Sequence, residues 1–181
     1  MAPSCEISGV TLIQHPSRVD ARGSFTKLFH PDDIGLAVGQ VFPVRETFIS
    51  WSEPGVLRGM HFQSPPFAHD KAVTCLVGEV LDVVLDLRRR SPTYGRSAAF
   101  TLQGAAPATL WIPAGCAHGF AVRGPSRALL HYAVTAEHAP ANDLGVRWDS
   151  FGFAWPADAG TVISARDRAL PDLASLPALF A

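Results

Sequence analysis

Residues 56–71 read VLRGMHFQSPPFAHDK and concentrate ionisable side chains in a chain that has few of them elsewhere. Around two adjacent prolines, this segment holds an arginine, two histidines, an aspartate and a lysine. An unperturbed imidazole titrates near pH 6.5, so His61 can accept a proton at neutral pH. On a β-strand, side chains two residues apart share a face, so His61 and Gln63 point to the same side. The segment therefore offers a base, with Arg58 and Lys71 as cations near it.

The composition predicts one globular domain spanning residues 1–181. Hydrophobic residues make up 48% of the chain and charged residues 17%, which is typical of a folded and not of a disordered protein. The formal net charge of −1 gives no reason to expect a general polyanion-binding protein.

The compartment is predicted from the cysteines and from the apolar runs. No apolar run approaches the roughly 20 residues needed to span a bilayer. The N-terminal sequence MAPSCEISGVTL lacks the basic start and apolar block of a signal peptide. Cys5, Cys75 and Cys116 are scattered and form no CxxC motif, which argues against a disulfide framework or a zinc cluster. We therefore expect a cytoplasmic protein.

The elements that position these side chains are predicted to be short β-strands. Fifteen glycines and fifteen prolines place turn signals every ten or so residues. The runs between them are rich in Val, Leu, Phe and Ala, and include GVLRGMHF, KAVTCLVGEVLDVVLDL, ATLWIP and ALLHYAVT. This spacing is typical of an all-β sandwich or barrel. We expect helical structure only as a short helix within residues 30–39 and as a turn or two within residues 165–180.

The stretch GAAPATLWIPAGCAHGF contains Pro113, Gly115 and His118 in the order Pro-x-Gly-x-x-His. This order resembles the second motif of the cupin superfamily, which implies a double-stranded β-helix, a small jelly-roll barrel. The Pro-x-Gly supplies a tight turn, and the next strand aims His118 at the barrel interior. Metal-binding cupins place His-x-His and a Glu in their first motif, but here only His61 is present and Gln63 takes the second ligand position. Because a three-His metal site needs more ligands than these, we expect no metal.

Several spaced motifs resemble those of the dTDP-4-dehydrorhamnose 3,5-epimerase family over nearly the whole chain. They run from DARGSF at residues 20–25, through GVLRGMHFQ, LWIPAGCAHGF and RWDSFGFAWP, to SARD at residues 164–167. The resemblance implies a cupin isomerase without cofactor or metal, which forms homodimers through an exchanged N-terminal strand. It also implies inversion of carbon 3, carbon 5 or both beside the ketone of a nucleotide-linked 4-keto-6-deoxy sugar.

This reaction requires a base on one face of the sugar, an acid on the other, and a group that stabilises the enolate oxygen. The resemblance assigns the base to His61 and its paired carboxylate to Asp167. It assigns the acid to Tyr132 and the ammonium beside the ketone to Lys71.

Substrate-binding residues are also implied by the resemblance. Arg58 and Arg22 match residues that meet the diphosphate, to which a guanidinium can donate two hydrogen bonds at once. Phe25 and His118 match residues that line the same cavity, and Gln63 is expected on the cavity face of its strand. For His118, the alternative is a structural histidine that is hydrogen-bonded inside the barrel.

Four positions depart from the family's usual pattern. Lys27 replaces a glutamate, Glu46 and Phe48 replace a glutamine and an asparagine, and His138 replaces a second tyrosine. We expect Lys27, Glu46 and His138 to contact the substrate, and we expect Lys27 and Glu46 to form a compensating ion pair. The departures leave the nucleotide (dTDP, CDP or GDP) and the sugar open.

Three other functions remain as alternatives. A cupin sugar 3,4-ketoisomerase uses similar groups to move a proton between neighbouring carbons, and a non-catalytic cupin merely binds nucleotide sugars. The joint presence of His61, Asp167, Tyr132 and Lys71 favours an enzyme, because a binding protein needs no matched acid and base. A metal-dependent cupin oxygenase is the least favoured.

Overall fold

Twelve β-strands dominate the computed structural model, which describes residues 7–28, 35, 37–157 and 159–180. The strands are β1 (Thr11–Gln14), β2 (Ser17–Asp20), β3 (Gly23–Thr26), β4 (Glu46–Ser52), β5 (Leu57–Gln63), β6 (Lys71–Val77), β7 (Glu79–Asp86), β8 (Ser97–Gln103), β9 (Ala108–Ile112), β10 (Cys116–Val122), β11 (Ala128–Val134) and β12 (Asp143–Gly145). A short helix α1 (Ala165–Arg168) and a 3₁₀ helix (Leu173–Ser175) follow them.

The strands form two antiparallel five-stranded sheets that pack face to face. The first sheet has the order β1-β9-β6-β11-β4, and the second has the order β12-β5-β10-β7-β8. Strands β2 and β3 pair only with each other and form a separate hairpin. The all-β prediction is therefore confirmed, although the sequence did not predict β2, β3 and β12.

Strand β7 has both of its faces buried, so its aspartates Asp82 and Asp86 lie inside the protein among apolar residues. Val80 and Val84 pack in the core between the two sheets. Val83 and Leu85 pack on the other side, in a second core that includes Phe180 near the C-terminus. A polar residue in this strand has no solvent-exposed face available, so it must find a partner inside the protein.

Two glycines allow β5 and β10 to approach each other closely. Gly59 has φ +121°, and a Cβ atom there would lie 2.5 Å from Gly119 Cα. A Cβ on Gly119 would lie 2.7 Å from both the carbonyl oxygen of Arg58 and Met60 Sδ. Both distances are too short for a real Cβ contact, so each position requires glycine. The pairing of the two strands also shifts register here, between His118 and Phe120.

The helical predictions have two outcomes. The turns predicted within residues 165–180 are confirmed by α1 and the 3₁₀ helix, whereas the helix predicted at 30–39 lies largely outside the described residues. Ser164 caps α1, because its Oγ accepts a hydrogen bond from Asp167 N at 3.0 Å. In the described part of the chain, no helix has the length and apolarity to cross a membrane.

Candidate active site

A cavity of about 260 Å³ opens between the two sheets and is lined by side chains from both of them. The first sheet contributes Glu46, Phe48, Ser50, Lys71, Tyr132 and Val134. The second sheet contributes Arg58, His61, Phe62, Gln63, His118, Gly119, Phe120 and Asp143. Connecting segments and α1 add His69, Ala136, His138 and Arg166.

His61 forms a hydrogen-bonded pair with Asp167, as the resemblance implied. His61 Nε2 lies 2.7 Å from Asp167 Oδ1. Because an ionised carboxylate only accepts hydrogen bonds, His61 Nε2 carries a proton, and in the neutral ring Nδ1 keeps its lone pair. Burial alone would raise the pKa of Asp167, but hydrogen bonds from His61, Gly59 and Ser164 outweigh it and hold that pKa below its ordinary value. The neutral His61–Asp167 pair can therefore accept a proton at Nδ1.

The position of Asp167 follows from α1. Residues 164–168 make a single capped turn, which places Asp167 inside the protein with 3% of its surface exposed. Gly59 N donates to Asp167 Oδ2 at 3.2 Å, so both carboxylate oxygens have a partner. The carboxylate is therefore fixed in orientation from two sides.

Tyr132 lies on the first sheet, across the cavity from the strand that carries His61. Its ring stacks on Phe48, with centroids 4.7 Å apart and planes 13° from parallel. The His118 ring meets it edge-on at 6.0 Å. Burial raises the pKa of the Tyr132 phenol, and the negative charge of Asp82 adds to this effect. The phenol is thus held in one plane and keeps its proton.

Lys71 reaches from the first sheet to the second. Its Nζ donates to the backbone oxygen of His61 at 3.1 Å. Burial lowers the pKa of Lys71 to about 8, although the charges of Asp143 and Asp82 partly oppose the shift. The ammonium is therefore charged at neutral pH and lies next to the proposed base.

His118 combines both roles that the sequence allowed. Its ring lines the cavity, and its Nε2 lies 2.8 Å from Oδ2 of the fully buried Asp82. Burial raises the pKa of Asp82, whereas His118 acts in the opposite direction. Asp82 was not predicted as a site residue, although an aspartate within an apolar strand signals a buried partner.

The remaining predicted residues of the cavity have mixed roles. Gln63 lines the cavity, but its amide is engaged by neighbouring loops. Glu46 Oε2 accepts a hydrogen bond from the backbone N of His138 at 2.8 Å, so these two departures from the family pattern lie together. Arg58 donates from Nε to Ser52 Oγ at 2.9 Å, and from Nη2 to a backbone oxygen.

Three predicted binding residues lie outside this cavity. Arg22 and Phe25 are on the β2–β3 hairpin and are exposed, with Arg22 paired to Asp20. Lys27 lines a different pocket beside the hairpin. Between the described residues Lys27 and Glu46 there is no ion pair, so the pair expected from the sequence is not formed within one chain.

An ion pair at the cavity edge was not predicted. Arg166 Nη2 lies 2.8 Å from Asp143 Oδ2, and both residues line the cavity. Asp143 is on β12, a three-residue strand that gave no sequence signal. With respect to metals, the described residues contain no group of three or more His, Cys, Asp or Glu arranged to hold an ion.

The chain is similar to known proteins over nearly its whole length. The family model for dTDP-4-dehydrorhamnose 3,5-epimerase matches residues 4–175. The dTDP-4-dehydrorhamnose 3,5-epimerase of Sinorhizobium fredii is 36% identical over 179 residues, which are 98% of this chain and 91% of the relative. The chain belongs to the dTDP-4-dehydrorhamnose 3,5-epimerase family. It is therefore an isomerase acting on carbohydrates, as the sequence motifs implied.

Solved structures of this epimerase family have the same fold. A dTDP-6-deoxy-D-glucose-3,5-epimerase from Legionella pneumophila, solved in complex with dTDP-4-keto-L-rhamnose, matches with a TM-score of 0.91 at 30% identity. The match covers 97% of this chain and 93% of the Legionella chain. ChmJ, a 3′-monoepimerase from Streptomyces bikiniensis solved in complex with dTDP-quinovose, matches with a TM-score of 0.87 at 31% identity. This match covers 94% of this chain and 87% of the ChmJ chain. These matches confirm the predicted cupin jelly-roll fold.

Proposed function

We propose that the protein epimerises a dTDP-4-keto-6-deoxyhexose at carbon 3, at carbon 5 or at both. The observation that carries the proposal is the placement of the His61–Asp167 pair and Tyr132 on opposite sheets, with one cavity between them. Relatives of the same family bind dTDP-linked sugars of this class, which supports dTDP as the nucleotide.

The proposed reaction begins at the free nitrogen of His61. Nδ1 removes the proton from a ring carbon beside the ketone, and the electron pair of that C–H bond moves to the oxygen on carbon 4. The Lys71 ammonium stabilises this enolate oxygen as it gains charge. Tyr132 then gives its proton to the same carbon from the opposite face, which inverts the centre. Proton exchange with water returns His61 to its neutral form and Tyr132 to its phenol form.

We propose that the working molecule is a homodimer in which the β2–β3 hairpin completes the site of a second copy. The hairpin pairs with neither large sheet of its own chain, and Phe25 is 61% exposed. Arg22 is available to bind a diphosphate together with Arg58, because among the described residues its side chain contacts Asp20 of its own hairpin alone and is 90% exposed. In this arrangement, Lys27 also reaches the partner's substrate.

We also propose that residues 1–181 form one domain and that the protein is cytoplasmic. The single-domain proposal is supported by the C-terminal residues, which pack into the second core. The location is supported by Cys75 and Cys116, which are free, buried thiols, as expected in a reducing compartment.

The activity is tested by incubating the protein with dTDP-4-keto-6-deoxyglucose in deuterium oxide. We expect deuterium at the inverted carbons and an unmoved ketone, both read by NMR. The His61→Asn variant should lose deuterium incorporation altogether. Tyr132→Phe should still exchange the proton through His61 but should return it to the same face, without inversion. The matched control is Tyr94→Phe, which changes the only other tyrosine and should leave the rate unchanged.

Two results would contradict this mechanism. If His61→Asn retained wild-type exchange, His61 would not be the base; if Tyr132→Phe still inverted the sugar, the acid would lie elsewhere. The nucleotide is tested separately by comparing the rise in melting temperature with dTDP, CDP, UDP and GDP, because ligand binding stabilises the folded state.

The dimer is tested by mixing two inactive variants, Arg22→Ala and His61→Asn. In a mixed dimer, one of the two sites receives both an intact hairpin and an intact base. We expect activity to return upon mixing. A mixture that exchanges subunits and stays inactive would refute the shared site.

A further inference from the structure

His69 lies at the cavity beside Lys71 and has no role in the mechanism above. It precedes β6 by two residues, and its ring is held by the side chain of Gln63. Gln63 Nε2 lies 2.9 Å from His69 Nδ1 and 2.9 Å from the carbonyl oxygen of Phe67. On the other end of the same amide, Gln63 Oε1 lies 2.6 Å from Ala139 N.

These contacts fix which way the Gln63 amide points. The backbone N–H of Ala139 can only donate, so the atom that faces it must be the amide oxygen. The amide nitrogen therefore faces His69 and the carbonyl oxygens of Phe67 and Glu137. The amide nitrogen has two hydrogens, and its two shortest contacts are those to Phe67 O and His69 Nδ1, at 2.9 Å each, against 3.2 Å to Glu137 O.

The amide orientation in turn fixes the tautomer of His69. An amide nitrogen has no lone pair to offer, so a 2.9 Å contact with His69 Nδ1 requires Nδ1 to be the acceptor. Nδ1 of a neutral ring cannot accept and donate at once, and its 2.9 Å contact with the amide nitrogen is shorter than its 3.3 Å contact with the Phe67 oxygen, so the shorter contact sets its role. The proton of the neutral ring lies on Nε2. Burial and the nearby Lys71 charge lower the pKa of His69 to about 4, so the ring is neutral at pH 7.

The Nε2–H group of His69 is a donor without a hydrogen-bond partner among the described residues, on a side chain that lines the cavity. His69 and Lys71 line the same cavity, and the charge of Lys71 acts on the His69 ring, so the two side chains lie near one another. The Nε2–H group of His69 is therefore a second donor beside the ammonium that is proposed to face the oxygen on carbon 4.

We propose that His69 is a further catalytic residue, whose Nε2–H donates a hydrogen bond to the oxygen on carbon 4, beside the Lys71 ammonium. The inference rests on the proposed epimerase function and adds a second donor to the enolate oxygen. A neutral donor adds no second positive charge next to Lys71, so the two groups act on one oxygen without repelling each other. Gln63 is a positioning residue in this arrangement, because it acts through the tautomer of His69.

The first experiment compares His69→Leu with His69→Gln, whose side-chain amide can place a donor near the position of Nε2. Because a hydrogen bond to a charged acceptor is stronger than one to a neutral acceptor, removing the donor to the enolate oxygen should lower kcat by about 10- to 100-fold. We expect this loss in His69→Leu, with recovery to within about fivefold of wild type in His69→Gln and unchanged dTDP binding in both. The matched control is His131→Gln, since His131 does not line the cavity. A rise in KM with unchanged kcat in His69→Leu would overturn the proposal, because the contact would then be equally strong in the ground state.

The second experiment reads the tautomer directly by ¹⁵N NMR of the imidazole nitrogens, with the His69 signals assigned by their loss in His69→Gln. We expect the Nε2–H form in the wild type. In Gln63→Met, Nδ1 loses the amide donor and keeps the Phe67 oxygen, an acceptor, beside it, so the ring should change to the Nδ1–H form and kcat should fall as in His69→Leu. A wild-type spectrum with the proton on Nδ1 would overturn the proposal without any activity measurement.

The proposed epimerase function and the proposed role of His69 can be refuted independently. A wild-type protein that does not exchange protons on the dTDP-4-keto sugar would refute the proposed function, whatever the state of His69. A wild-type protein that epimerises the sugar while His69→Leu retains full kcat would refute only the role of His69.

Discussion

Replacing Asp167 with asparagine should remove the base without removing the histidine. The substitution keeps the shape of the side chain, but only one of its two terminal atoms can accept a hydrogen bond. Gly59 N donates to Asp167 Oδ2, so this position must keep the amide oxygen. The amide nitrogen then faces His61 Nε2, 2.7 Å away in the wild type, and Nε2 must become the acceptor. The proton of His61 consequently moves to Nδ1, the nitrogen that should take the substrate's proton.

The magnitude follows from the cost of the opposite amide orientation. Turning the amide over would leave the buried Gly59 N–H facing a donor, at a cost of about 1–3 kcal/mol. At about 1.4 kcal/mol per tenfold, the reactive tautomer is reduced roughly 5- to 150-fold. Loss of the carboxylate charge that stabilises the imidazolium lowers the rate further, so we expect kcat to fall by about 10²–10⁴ in total, the range typical of general base catalysis.

The assay is deuterium incorporation beside the ketone, together with the ¹⁵N spectrum of His61. The control is Asp149→Asn, which removes an exposed carboxylate paired with Arg147. The reasoning is refuted if Asp167→Asn keeps a rate within about threefold of wild type, or if the proton of His61 stays on Nε2 while the rate falls.

Three further predictions concern the surroundings of the reacting groups. Because burial lowers the pKa of Lys71 to about 8 and the ammonium is the active form, kcat/KM should fall as the pH rises through about 8. The Lys71→Met variant should lose most of its rate, and its kcat/KM should no longer fall in this pH range. Phe48→Leu removes a stacked ring pair worth about 0.5–1.5 kcal/mol, so kcat should fall up to about tenfold with little change in dTDP affinity. If the NMR ring-current shifts of Tyr132 were the same in the variant as in the wild type, the stacking would be contradicted. Gly119→Ala places a methyl group 2.7 Å from Met60 Sδ, so calorimetry should show a loss of about 1–3 kcal/mol in the free energy of unfolding. A variant as stable as the wild type would show that β5 and β10 can move apart to accept the methyl group.

Apart from β12, the strands that form the two large sheets could be predicted because each alternates or fills with apolar residues between turn signals. The hairpin β2–β3 could not, since its residues are almost all exposed and give no burial pattern. The three-residue strand β12 is too short to give any pattern, and it forms only by pairing with β5.

The position of His61 on the cavity was predictable, because strand alternation places it on the same face as Gln63. The pairing of His61 with Asp167 spans 106 positions and comes about only when α1 folds against β5. The stacking of Phe48 on Tyr132 depends on the register of β4 and β11, which places these two residues directly opposite each other. The engagement of Gln63 by two loops depends on backbone groups, which no sequence pattern displays.

The backbone contact between Gly59 and Gly119 restricts which positions of the barrel can accept other side chains. The strand that carries His61 is held against its neighbour where neither glycine tolerates a side chain. Strand β4, in contrast, is the last strand of its sheet, and among the described residues it pairs with β11 alone. The wall of the cavity can therefore change in shape and polarity along that border, at Glu46, Phe48 or Ser50, while the strand that carries His61 stays in place.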